Sequence, residues 1–461
     1  MAATAKVSAP LTPEQIAIVK STAPALKEHG EEITSMFYKN MLTAHPELRN
    51  IFNTTSQQTG AQPRALASAV FGYASYVDDL GKLSDVVARI AHKHVSLMVT
   101  ADQYPIVGEH LIAAVATVLG DAVTPAVAEA WTAAYQALAD IFIGLEGSMY
   151  AEHEKSETGW NGWRKFKIAK KVPESAEITS FYLKPEDGKL PLPAFQPGQY
   201  VSLHLHVPEL GCMQPRQYSL SDVPGLDYYR ISVKKDAGKQ AGVPGLISNR
   251  LHAEFNEGDV VEITQPAGTF AVATAQSPIA LISAGVGVTP MVSILNATVA
   301  DEATKTRPVS WVHGARSTEV QAFAEHVRGV CAKHPNVKAT IFKNQVKDAE
   351  VQGVDYHFPG RMDLAKIDRK QGLFLDEPEA NYYICGPPRL HEGGLAVPRP
   401  GRSLREPDTY GGVRRRRWRI DRRCMMMMFL FACFFRSYGR ISSRFPRVSE
   451  IPPCVRSSRS R

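Results

Sequence analysis

The sequence predicts a three-part chain: an all-α domain, an antiparallel β-barrel and a doubly wound α/β domain. Three observations predict it. Residues 12–150 carry Leu, Ala and Val at three- and four-residue spacing, the period of amphipathic helices. From Phe166 onward apolar residues recur in steps of two, in short runs separated by Pro- and Gly-bearing turns, the pattern of a small barrel. At 278–290 the apolar strand P-I-A-L-I-S runs directly into A-G-V-G-V-T-P, and further apolar runs follow at 308–313, 337–342 and 381–385. The expected divisions are 1–150, a linker at 151–163, 164–272, 273–388 and a tail at 389–461.

Length and charge narrow the options. At 461 residues the chain is long enough for three domains of about 150 residues each. Its 44% apolar and 21% charged residues make an ordinary globular composition. A formal net charge of +7 invites a nucleic-acid or membrane reading, but residues 389–461 hold 18 Arg, no Lys and 5 acids, whereas residues 1–388 hold 35 basic and 41 acidic residues. The body is therefore mildly acidic, and no nucleic-acid partner is expected. The tail, with an Arg run at 414–417 and a Met run at 425–428, follows neither helical nor strand period. It reads as out-of-frame coding and is expected to be disordered. Its apolar run at 424–435 spans about 12 residues where a membrane crossing needs about 20, so stable insertion is not expected; an interfacial helix flanked by arginines is the alternative. The six cysteines form no C-x-x-C pair and only three lie in the body, which suits a reducing compartment and the cytoplasm. A mitochondrial address in the Ala-rich first ten residues is the alternative.

The helical part opens on Thr12-Pro13-Glu14-Gln15, an N-cap followed by proline at the first helical position. Within it Leu83, Val87, Ile90, His94 and Leu97 or Met98 share one face, so His94 projects from an apolar stripe. Alone, such a histidine is more often a hydrogen-bonded core residue than a ligand. The motif A-H-K-H at 91–94, E-L-R-N-I-F-N at 47–53, the Phe37–Tyr38 pair and Q-Y-P-I-V-G-E-H at 103–110 together resemble the globin of the flavohaemoglobin (flavohemoprotein) family over about 140 residues. The resemblance implies haem b with His94 as proximal iron ligand, Tyr38, Gln62 and Leu66 on the oxygen-binding side, and Phe52 packed on the porphyrin. It also implies that Tyr104 and Glu146 bond the far nitrogen of His94, enriching the iron in electrons, and that Lys93 shapes the contact between haem and flavin. A solvated lysine, a solvated Glu146 and a helix-start Tyr104 are the plain alternatives.

In the barrel, P-G-Q-Y at 197–200 and R-Q-Y-S at 216–219 resemble the flavin-binding signature of the ferredoxin reductase superfamily. The likeness implies FAD, with Arg216 on its pyrophosphate, Tyr200 and Tyr218 on the ring system, Ser219 at its redox-active edge and Gln217 among the FAD-binding residues. Residues 245–249 (G-L-I-S-N) start a short helix whose free amides, with Ser248, offer a second phosphate site; an ordinary capped turn is the alternative.

In the third part, Gly285, Val286, Gly287, Val288, Thr289 and Pro290 join a strand to a helix expected to begin near Met291, and the two glycines let backbone amides approach a pyrophosphate. Cys385, Gly386 and Pro387 resemble the loop that sets a nicotinamide beside a flavin. Arg316 and Ser317 follow the second strand with no acid at its end, so NADPH is expected to be accepted alongside NADH. The resemblance stops at Pro387 or Pro388; the family's last helix, strand and terminal aromatic have no counterpart in 389–461, which would leave a sheet edge exposed.

Taken over about 375 residues, the resemblance implies a monomeric nitric oxide dioxygenase that passes electrons from NADH or NADPH through FAD to haem and turns nitric oxide and O2 into nitrate. An oxygen- or ligand-binding haemoprotein with an impaired reductase is the rival.

Overall fold

The computed structural model describes residues 8–238, 243–272, 276–387 and 390. The tail expectation, the apolar run at 424–435 and the proposed leader at the first residues lie outside them.

The helical part holds α1 (Pro13–Ser21), α2 (Ala23–Ala44), α3 (Thr54–Gln58), α4 (Ala61–Tyr76), α5 (Ser84–Val95), α6 (Gln103–Leu119) and α7 (Pro125–Lys155). Thr12 caps α1 as its sequence requires: its hydroxyl accepts from Gln15 N, and Gln15 Oε1 accepts from Thr12 N at 3.0 Å. Thr124 and Asn53 cap α7 and α3 with a single side-chain bond each, accepting from Val127 N and Ser56 N. Ile33, Phe37 and Met41 of α2, Tyr73 and Ala74 of α4, Leu111 of α6 and Trp131 of α7 close one apolar core. Leu97 joins His94 on the cavity wall, whereas Met98 turns away in a left-handed conformation (φ 61°) and its Sδ accepts from Gly162 N at 3.3 Å.

That bond ties the globin-like part to the linker, where the Trp163 ring lies flat on His204, centroids 3.6 Å apart. Strands β1 (Arg164–Pro173), β2 (Ile178–Pro185), β3 (Tyr200–Val207), β4 (Cys212–Ser219), β5 (Tyr229–Lys234) and β6 (Val260–Ile263) follow, with α8 (Leu246–Glu254) before the last. They pair antiparallel in the order β4-β3-β6-β1-β2-β5, and the Leu220–Ile231 bridge joins the ends into a barrel. Strand β1 shows the inside–outside alternation read from sequence, with Phe166 and Ile168 buried between exposed lysines. Strand β3 does not: its outward Ser202 and His204 are buried as well, under Gln217 and Trp163.

The last part is a parallel sheet in the order β10-β9-β8-β7-β11, built from β7 (Ile279–Ala284), α9 (Val288–Ala300), β8 (Val309–Ala315), α10 (Ala324–Lys333), β9 (Val337–Lys343), β10 (Phe358–Pro359) and β11 (Asn381–Cys385). Helix α9 begins at Val288 rather than near Met291, because a single 3₁₀ turn at Gly285–Gly287 feeds it directly. Strands carrying continuous apolar runs are buried on both faces, as a parallel sheet between layers demands.

Candidate functional site

One continuous cleft of about 1990 Å³ runs through all three parts. Tyr38, Phe52, Gln62, Leu66, His94 and Tyr104 line one end; Tyr200, Arg216, Gln217, Tyr218, Ser219 and Ser248 the middle; Gly285, Val286, Gly287, Thr289, Pro290, Arg316, Cys385 and Pro387 the other end.

At the first end, His94 is fixed from behind. Its Nδ1 lies 2.8 Å from Glu146 Oε1 and 3.0 Å from Tyr104 Oη, and Tyr104 donates to the same carboxylate oxygen at 2.7 Å. Glu146 is buried behind the wall, so this acid is a structural acceptor rather than a solvated helix residue. Burial, reinforced by Glu146, holds the Tyr104 phenol protonated far above its ordinary range. With Nδ1 engaged as donor, the ring turns Nε2 into the cleft, the arrangement that orients a metal-binding histidine. Across the cleft, Tyr38 meets Phe52 edge-on at 5.5 Å. Gln57 Nε2 donates to Gln62 Oε1 at 3.0 Å, and Gln62 bonds the Tyr38 hydroxyl, whose proton burial keeps in place. Gln57 was not visible as a site residue; it sits in the polar string N-T-T-S-Q-Q, where spacing carries no signal.

The middle of the cleft is made across a domain junction. The Arg216 guanidinium donates to Pro215 O at 2.7 Å and to Thr55 Oγ1 of α3 at 3.2 Å. Lys93 Nζ donates to Gln217 Oε1. Burial, and then Arg216, pull Lys93 down to about 7, while burial pulls Arg216 down to about 10. Neither cation has a carboxylate partner among the described residues, and a buried guanidinium beside a half-buried lysine fits a strongly anionic group, which would also hold the lysine protonated. The same junction carries Gln214, which accepts from Thr54 N at 3.0 Å, together with bonds from Thr264 Oγ1 to Ser96 O and from Gly268 N to His92 Nδ1. Burial raises the Tyr200 phenol to about 12 against a bond from Ser96, and burial raises Tyr218 too. Ser248 Oγ is spent on its own helix start, donating to Gly245 O at 3.2 Å.

At the far end, Gly285 holds φ +55° with open space where a side chain would stand. A Cβ on Gly287 would sit 2.1 Å from Cys385 O, so only glycine lets the β7 and β11 loops meet. Two of the expected residues are placed elsewhere. Val288 is wholly buried in the core beneath α9, because it already faces inward as the first helical residue. Gly386 is buried behind the wall, between Cys385 and Pro387. Arg316 reaches the cleft but is ion-paired to Glu177 of the barrel.

An α-helical haem-pocket geometry joined to a flavin barrel and a nucleotide-binding sheet defines a globin fused to a pyridine-nucleotide reductase. The globin profile matches residues 35–142 and the oxidoreductase NAD-binding domain profile residues 281–394. The flavohemoprotein of Bordetella pertussis is 50% identical over 380 residues, 82% of this chain and 92% of the relative; that of Bacillus subtilis is 46% identical over 375 residues, 81% and 90%. The crystal structure of the Malassezia yamatoensis flavohemoglobin, which holds FAD and haem, superposes with a TM-score of 0.71 at 28% identity, over 83% of this chain and 94% of that one. The chain belongs to the flavohemoprotein family.

Proposed function

We propose that the chain is a nitric oxide dioxygenase driven by NADH or NADPH, with FAD and haem b as resident cofactors, and that it divides functionally at 1–150, 164–272 and 273–388. The observation that carries the reading is the single cleft that brings the His94, Arg216 and Gly285 groups into one space in the order electrons would travel. Membership of the flavohemoprotein family supports the substrate pair, O2 and nitric oxide. A nicotinamide supplies hydride, a flavin splits it into single electrons and a haem iron binds O2.

The protein's share is binding, orientation and charge. His94 offers Nε2 because Glu146 and Tyr104 hold Nδ1, and the carboxylate raises the basicity of the ring. Tyr38, with Gln62 already donating to its oxygen, has its own proton to give to negative charge developing on a diatomic ligand. Leu66 and Phe52 keep that end apolar. Arg216 supplies buried positive charge for a pyrophosphate, and the half-buried Lys93 offers an ammonium to the neighbouring ring system once an anionic group raises it again. The Gly285–Gly287 turn at the head of α9 presents backbone amides to a second pyrophosphate. All three groups come from one chain, so we read the working unit as a monomer. Its free thiols Cys212, Cys331 and Cys385 suit the cytoplasm.

The test is anaerobic mixing of the haem- and FAD-loaded protein with NADH and, separately, with NADPH, followed by addition of aerobic buffer and nitric oxide. Flavin bleaching, then haem reduction, then nitrate formation is expected. Oxygen binding by chemically reduced haem with no reduction by either nucleotide would replace this reading with the ligand-binding haemoprotein.

A further inference from the structure

We propose that Glu177, a barrel residue, sets the choice between NADH and NADPH by occupying the cation that would otherwise bind a 2′-phosphate. The inference rests on the nucleotide reading of the far end of the cleft. In a doubly wound sheet the adenine ribose lies just beyond the second strand of the first βαβ unit, where an acid accepts from its 2′-hydroxyl or an arginine takes a 2′-phosphate. Here that strand is β8, and Arg316 follows it directly. Read from the strand alone, the position is an arginine without an acid.

The fold places an acid there from another domain. Glu177, just before β2, ion-pairs with Arg316, and its second oxygen stands 3.4 Å from Lys234 Nζ of β5. Its backbone is pinned by Lys235 N, which donates to Glu177 O at 2.7 Å, and the preceding Ala176 N donates to Glu319 O across the junction at 2.7 Å. Glu177, Lys234 and Arg316 all line the cleft. Burial opposes the charge on Glu177, but Arg316 and Lys234 hold it below the usual carboxylate range, so it is ionised at neutral pH. The neighbouring Lys343 and Lys347 are engaged by Glu350 and Glu319.

An ionised carboxylate here acts in two ways. It offers an acceptor to a ribose 2′-hydroxyl, and it both repels a 2′-phosphate and withholds Arg316 from it. Lys235 and Arg361 remain on the wall, so the preference for NADH is graded rather than absolute.

The experiment measures stopped-flow flavin reduction in the full-length, haem- and FAD-loaded protein with each nucleotide. Glu177→Gln is expected to raise the second-order rate constant of flavin reduction by NADPH roughly tenfold, mainly through Kd, and to lower that for NADH about threefold, since the repulsive charge is lost while a neutral amide oxygen accepts from the 2′-hydroxyl more weakly than a carboxylate. Glu177→Asp should keep the wild-type preference, and Arg316→Ala added to Glu177→Gln should remove the gain. An unchanged NADPH-to-NADH ratio in Glu177→Gln, or an equal fall with both nucleotides as expected of a mere domain fastener, overturns the role of Glu177 alone. A wild-type flavin that neither nucleotide reduces overturns the nucleotide reading and this inference with it.

Discussion

The two ends of the junction between helical part and barrel are supported in opposite ways. His94 is held by Tyr104 and Glu146, both from its own helical part, in a triangle of bonds between 2.7 and 3.0 Å. Arg216, the cation proposed to hold the flavin, donates one of its bonds to Thr55 of that same helical part and shares its surroundings with Lys93. The iron side is therefore self-sufficient, whereas the flavin side depends on how two domains dock. A site that borrows its support across an interface can be weakened from either partner, and a self-supported one cannot.

Arg216→Ala tests that contrast most severely. It should weaken FAD binding about a hundredfold, the loss of charge-assisted hydrogen bonds worth roughly 3 kcal/mol, while the spectrum of bound haem stays unchanged; a haem that is lost along with the flavin would break the comparison. Acid should separate the parts next. His313, buried in the nucleotide sheet and bonded to Ser283 Oγ at 2.9 Å, is pushed by burial down to about 4. Its folded value is depressed, so it contributes stability above about pH 6.5 that is lost as pH falls toward 4; at pH 5 the sheet should be about 2 kcal/mol less stable than at pH 7. Urea melts of the wild type and His313→Asn check this, and a wild-type midpoint that does not move between those pH values would contradict it.

Glu146→Gln should slow nitric oxide turnover by roughly tenfold, the usual cost of losing a partner of a metal-binding histidine. Its rate of flavin reduction by NADH should be untouched, and a fall in that rate would show the two sides to be coupled. The smallest effect is the sharpest. Thr55→Val removes only the hydroxyl that accepts from Arg216, and FAD affinity should fall about fivefold, or about 1 kcal/mol. No change would mean that the globin side lends the flavin site nothing.

Much of this molecule was legible as a string because much of it is local. The Thr12 cap, the alternation in β1, the glycine turn between β7 and α9 and the apolar stripe carrying His94 follow from residues within a few positions of one another. Short-range sterics and hydrogen bonding decide such features, so they can be read without a fold. The buried outer face of β3, the inward turn of Val288 and the concealment of Gly386 are not of that kind. Each depends on what covers an element, and a strand or helix does not encode its cover.

The same distinction governs the site. Sequence by itself determined the three chemistries and their order along the chain, and it offered candidate side chains for each. Only the tertiary structure decided which groups support those side chains: Gln57 on Gln62, Thr55 on Arg216, Lys93 on Gln217 and Glu177 on Arg316. Three of these are partnerships across more than a hundred residues. An ion pair or hydrogen bond is set by distance and direction in space, to within a few tenths of an ångström, and only packed domains bring such remote groups to that distance.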